Sequence, residues 1–334
     1  VLAAPGPRPL LLALLAAVGG DVLLTRPCAE WYAPQARLLG RTPQHVPVSA
    51  ESGGVPDPFA LLETVRRARA AGGDPRVLVI SVADDPTGSC APPELVHEVC
   101  EAAADEGLLI ISDETHRDTL HDPHGTVLLS PAEMLPRQVV VLTDLAGSLT
   151  PACWPAAVAR FPDTARGVAL HAAALRSLAA LGSVLPGPVA EAVAHALTEP
   201  PPVRARTAAM TLRYASAAAG AHRVVTEAGA LSRPPQAGHH FYVDLGPLRP
   251  ALATRSVTDS AGLEELFAAY GGLGGHRLGD DPDALRVRLS VSTLLGPAEE
   301  LRARAPTAAD RRESPHPTEA LTTFAAAFTE LTRE

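Results

Sequence analysis

The 334-residue chain contains neither lysine nor asparagine, and all 28 of its Lys+Arg residues are arginines. A Schiff base needs a primary amine, so no side chain here can hold a carbonyl as an imine; only the terminal amine could. A GC-rich codon pool would deplete the same two residues, which leaves drift and selection both open as causes. Basic runs are missing as well. With a formal charge of -9 and no Lys/Arg cluster, the chain lacks the attraction that phosphate-backbone binding requires, and no nucleic-acid partner is expected. The four cysteines, Cys28, Cys90, Cys100 and Cys153, contain no CxxC pair, so neither a zinc ribbon nor a disulfide framework is indicated, and reduced thiols in a cytoplasmic protein are expected. The apolar run over 10–18 is too short to span a bilayer and reads as a buried helix, so no membrane partner is expected.

What is present is 46% hydrophobic residues with 33 prolines and 26 glycines, the make-up of a globular, loop-rich protein large enough to bury its own core. Short apolar runs alternate with helical patterns in the first half, which predicts βαβ units around a mostly parallel sheet. Strands are expected over 21–24, 76–81, 108–112, 138–142 and 157–161, with helices over 9–18, 58–71 and 92–106. An Ala-rich helical stretch over 188–229 is interrupted by prolines 200–202, placing a boundary between a large domain, 1–200, and a small C-terminal α+β domain, 201–334. The second part carries expected strands over 240–245 and 285–291, helices over 261–270 and 317–331, and a charged linker over 302–316.

Four motifs fall at predicted strand ends in a fixed order. They are Ala83-Asp84-Asp85-Pro86-Thr87-Gly88, Ile110-Ile111-Ser112-Asp113-Glu114-Thr115-His116, Leu142-Thr143-Asp144-Leu145-Ala146-Gly147-Ser148-Leu149, and Leu285-Arg286-Val287-Arg288-Leu289-Ser290. Strand carboxyl ends are where α/β sheets place ligands. Asp85, Asp113 and His116 therefore form a candidate acid/base cluster, in which neighbouring carboxylates would raise the histidine pKa. Arg288 is suited to bidentate carboxylate binding. In the His239-His240 pair the two rings are expected on opposite faces of a strand. His116, His121 and His124 lack the H-E-x-x-H spacing, so no metal site is expected.

With Gly19-Gly20-Asp21-Val22-Leu23, the stretch from Pro27 to Tyr32 and the strand after Gly238, these motifs resemble the class I/II aminotransferases, fold-type I enzymes dependent on pyridoxal phosphate. The resemblance covers nearly the whole chain and implies that fold, less an N-terminal arm, and a homodimer. It also implies a degenerate site. Asp113 falls on the family's pyridinium partner, and Arg288 on its substrate-carboxylate arginine. Asp85 and His116 replace the Asn and Tyr that contact the phenolic oxygen. Gly147 takes the place of the Schiff-base lysine, Pro155 that of the phosphate arginine beyond the matching Trp154, and Ala29 that of the stacking ring. The expectation is a cofactor-independent enzyme using Asp113, His116 and Asp85 on a carboxylate-bearing metabolite held by Arg288, Tyr32, Trp154 and His240. The alternatives are a non-catalytic pseudoenzyme partner of another protein and an ordinary aminotransferase.

Overall fold

The computed structural model describes residues 1–49, 52–295 and 316–332. Seven strands form the large sheet: β1 (Leu2–Ala4), β2 (Asp21–Arg26), β3 (Pro43–Pro47), β4 (Pro75–Ser81), β5 (Leu109–Asp113), β6 (Val139–Asp144) and β7 (Ala157–Arg160), in the order β1-β7-β6-β5-β4-β2-β3. Strands β3, β2, β4, β5 and β6 run parallel, while β7 and β1 are antiparallel additions at one edge. The sheet is buried on both faces, which is why β4 and β5 read as continuous apolar runs rather than alternating ones.

Helices α1 (Pro7–Val18), α2 (Tyr32–Leu38), α3 (Pro58–Ala70), α4 (Pro93–Asp105), α5 (Pro131–Met134) and α6 (Ala165–Ala180) accompany this sheet. The 10–18 run belongs to α1, with Leu10, Leu11, Leu14 and Leu15 fully buried. Burying each of these leucines contributes about 2 kcal/mol, before entropy is counted. That accounts for a membrane-like run in a packed layer; among the described residues, no helix is long and apolar enough to cross a membrane.

The prolines over 200–202 open a helix. After α7 (Gly187–Ala196), α8 (Pro201–Glu227) begins with two prolines in its first turn, where their missing N–H groups cost nothing. A second sheet, in the order β10-β11-β9-β8, is antiparallel and built from β8 (Leu231–Ser232), β9 (His240–Asp244), β10 (Leu273–Gly274) and β11 (Arg286–Ser290). Strands β9 and β11 each alternate buried and half-buried residues, so Phe241, Val243, Val287 and Leu289 enter the core while His240, Tyr242, Arg286 and Arg288 share the other face. Helices α9 (Arg249–Ala253), α10 (Ser260–Leu266) and α11 (His316–Thr332) complete the chain. The linker expected over 302–316 lies outside the described residues except at its last position, which opens α11.

Candidate functional site

At the carboxyl ends of β4, β5 and β6 lies a cavity of about 150 Å3, lined by Ser81, Asp85, Asp113, Thr115, His116, Asp144, His239 and His240, with Pro7, Ala29 and Trp31. Each polar side chain is set there by local backbone chemistry. After β4, Asp84 closes a tight turn: its carboxylate accepts from the Thr87 hydroxyl (2.6 Å) and amide (3.2 Å), and its carbonyl accepts from Gly88 N–H at 2.8 Å. Gly88 sits at φ 69° against the His240 carbonyl, where a Cβ would approach to 2.5 Å. The turn thereby projects Asp85 toward the start of β9.

Asp113 ends β5 and both its oxygens are engaged. Oδ1 accepts from the Thr115 amide at 3.0 Å, and Oδ2 accepts from the Tyr32 hydroxyl at 2.6 Å. Burial raises the Asp113 pKa, with those two bonds opposing. Tyr32 is fully enclosed, and its own pKa is pushed well up by burial and by the Asp113 charge.

His116 follows on a short turn in which the Thr119 amide and hydroxyl both donate to its carbonyl. His121 locks this loop to the 235–238 segment through its two ring nitrogens, against the carbonyls of Pro235 and Gly238. The lock brings the His116 ring to 5.4 Å from His239 and 6.5 Å from His240, centroid to centroid. Gly238, at φ 69°, favours glycine, because that left-handed backbone strains other residues and a Cβ there would press on His116 Nδ1 at 3.0 Å.

Two expectations about these rings are corrected. The His116 pKa is lowered to about 4 instead of raised, because burial outweighs the attraction of Asp85, and no hydrogen bond joins it to Asp113. His239 and His240 both line the cavity with ring centroids 4.1 Å apart, because β9 begins at His240 and His239 lies outside the pleat.

Arg288 reaches the site from β11 but is already engaged. Its Nη1 donates to both oxygens of Asp85 (3.0 and 3.1 Å) and to Glu30 (3.3 Å). Arg286, on the same face, is held by Asp244 and Asp280 instead, each at 2.9 Å. Burial alone would raise the Asp85 pKa, but His240 and the permanent Arg288 cation hold it well below the usual carboxylate range. Arg288 Nε has no hydrogen-bond partner among the described residues, and His240 Nδ1 pairs with Asp85 Oδ1 at 3.1 Å.

Trp154 does not join the others: it is 42% exposed on the loop after β6, and Trp31 lines the cavity in its stead. Gly147 is itself exposed, at φ 87° in the same loop, its amide donating to the Thr150 carbonyl, and Pro155 is exposed beside Trp154. Ala29 lines the cavity as expected. Glu30, Trp31 and Asp144 are contributors that residue-by-residue reading passed over. Asp144 stands in its motif as the last residue of β6, and burial raises its pKa to about 6.

A large, mostly parallel sheet with a polar cleft at its strand ends, faced by a small antiparallel sheet, defines an α/β enzyme-like fold with its site at the switch from strand to loop. The model of the family described as aminotransferase class I and II matches residues 6–265. The chain belongs to that family. Curated relatives include the aspartate aminotransferase of Pyrococcus horikoshii, 28% identical over 104 residues, which is 31% of this chain and 25% of that protein. A probable aspartate/prephenate aminotransferase of Thermus aquaticus is 27% identical over 136 residues, 41% of this chain and 33% of its own length. The matched segments thus span no more than a third of these two relatives. Among solved structures, Thermus thermophilus aspartate aminotransferase with maleate superposes over 98% of this chain and 75% of its own, at a TM-score of 0.73 and 21% identity. Mycobacterium tuberculosis N-succinyldiaminopimelate aminotransferase does so over 98% and 77%, at 0.73 and 22%. At that identity the superpositions establish the fold alone.

These findings correct the expectation of a cofactor-independent acid/base enzyme, and the PLP-independent and pseudoenzyme readings with it: the family and the relatives are aminotransferases. The residues themselves nonetheless do not fit pyridoxal phosphate as the resemblance implies it is held. The sequence offers no lysine. The cavity lining carries three carboxylates, and the one arginine that reaches it among the described residues, Arg288, is held by Asp85 and Glu30, so a doubly charged phosphate would meet repulsion before it met a free cation. Helix α1, whose N-terminal end reaches the cavity at Pro7, has proline at positions 7 and 9 and so lacks amide donors that an anion would use.

Proposed function

We propose that the chain works in the amino-group chemistry for which its family is named, on a small dicarboxylate amino acid or the corresponding oxo acid. It does so as a degenerate member without an imine-forming lysine of its own. The observation that carries this reading is the family match, which runs unbroken through Asp85, Asp113, His116 and His240 and so through the whole cavity floor. The relatives named for aspartate and for aspartate and prephenate support a small dicarboxylate as the ligand class. Any imine chemistry must draw its amine from outside this chain's side chains, and an amino acid brings one. The residues at hand hold the ligand: Arg288 exchanges a carboxylate of Asp85 or Glu30 for one of the ligand, and neutral His116 supplies a hydrogen bond. The protein is further proposed to act as a homodimer.

The reading is tested by calorimetric titration with aspartate, oxaloacetate and maleate, in parallel with an assay for amino-group transfer between aspartate and 2-oxoglutarate. Binding of a four-carbon dicarboxylate that is lost in Arg288→Gln supports it. Failure of all three ligands to bind, with no transfer detected, refutes it.

A further inference from the structure

We propose that Asp85, His116 and His240 form a binding site for a first-row divalent metal ion, with zinc as the reference case. The three residues come from three separate segments, the turn after β4, the loop after β5 and the first residue of β9, and each offers a donor atom within 4.8 Å of the others. A tetrahedral zinc ion with ligands at about 2.0–2.2 Å needs donor separations of about 3.4 Å, so side-chain rotations of about 1 Å close the triad. Two imidazole nitrogens and one carboxylate oxygen are a donor set that zinc and its neighbours accept, leaving a further position open.

Three features of the surroundings favour a cation at this point. His240 Nδ1 stands 3.1 Å from Asp85 Oδ1, so a ring nitrogen and a carboxylate oxygen already converge at about the separation of two ligands on one ion. Asp85 and Glu30 together place two carboxylates on the single guanidinium of Arg288, so when Asp85 turns an oxygen to the ion, Arg288 keeps Glu30 at 3.3 Å. Asp113 and Asp144 line the same cavity, whose volume of about 150 Å3 leaves room for a water or a ligand carboxylate on the open side. The spacing of His116, His121 and His124 in the sequence gave no such site. The fold spends both His121 nitrogens on backbone carbonyls and leaves His124 in the exposed 121–125 loop.

The inference is independent of the proposed reaction and is tested on the full chain without substrate. Protein stripped with EDTA is loaded with zinc, desalted and analysed for metal content, and a parallel sample is loaded with Co2+ for its visible spectrum. About one zinc per chain is expected in the wild type. Asp85→Asn, His116→Gln and His240→Gln should each weaken binding at least tenfold. His124→Gln should bind like the wild type. Thermal melts in EDTA identify any variant that fails to fold. X-ray absorption of the zinc-loaded wild type then supplies a measurement free of substitutions, expected to show nitrogen and oxygen neighbours only. Less than about a tenth of an equivalent in the wild type, equal retention by His116→Gln and His240→Gln, or a sulfur shell would overturn the proposal.

Discussion

Replacing Asp85 by Asn probes the charge network that ties the two sheets together. The Asp85 carboxylate receives two bonds from Arg288 Nη1, 3.0 and 3.1 Å long, and stands 3.1 Å from His240. The Arg288 side chain is only 12% exposed and that of Asp85 20%, so the pair is weakly screened. Removing one partner of a buried pair costs about 3–5 kcal/mol. Glu30 keeps its contact with Arg288 and the amide keeps one acceptor oxygen, which reduces the expected loss to about 2 kcal/mol, or about 3 °C in Tm for a chain of 334 residues. The pH dependence has a definite sign. The folded-state pKa of Asp85 is depressed, so its stabilisation is fully present above the ordinary carboxylate value of about 3.9 and is lost as pH falls through the folded value. Urea unfolding followed by circular dichroism, in EDTA, should show a deficit that shrinks as pH falls below about 4. A variant as stable as the wild type at pH 7, or a deficit independent of pH, would refute the ion-pair account.

Tyr32→Phe removes the hydroxyl that donates to Asp113 at 2.6 Å without leaving a large void, and should cost about 1.5–3 kcal/mol. The Asp113 pKa is already raised by burial and rises further without this bond. Its protonated form therefore relieves the folded state, so thermal melts at pH 5 and pH 8 should show the smaller loss at pH 5; an equal loss at both would contradict this. Gly238→Ala places a Cβ at φ 69° and 3.0 Å from the His116 ring. Left-handed strain of about 1–2 kcal/mol is expected, together with a shifted His116 imidazole resonance, and an unchanged melt and resonance would show that the ring is not held there.

Much of the fold was legible because buried parallel strands announce themselves as apolar runs. Strands β2, β4, β5, β6 and β7 begin or end within two residues of their expected limits. The strands missed were edges: β3 is Pro-Gln-His-Val-Pro, whose prolines are tolerated only because it ends the sheet, and β1 has three residues. The site was legible as a set of strand ends but not as a set of partners. Nothing local in the sequence says that Asp113 bonds Tyr32 instead of His116, or that Glu30 and Asp85 converge on Arg288. Those pairings depend on how β11 and the loop before α2 meet the large sheet. The His239-His240 faces were misread by applying strand alternation one residue before the strand starts. Function was the least legible: the missing residues stand at a few positions, whereas the family match runs over residues 6–265.

No side chain of this aminotransferase-family chain can form an imine. The direct measurement is borohydride trapping after incubation with pyridoxal phosphate, followed by peptide mapping by mass spectrometry. No reduced adduct is expected on any internal peptide, including the one containing Gly147. A stoichiometric pyridoxyl adduct on a side chain would contradict it.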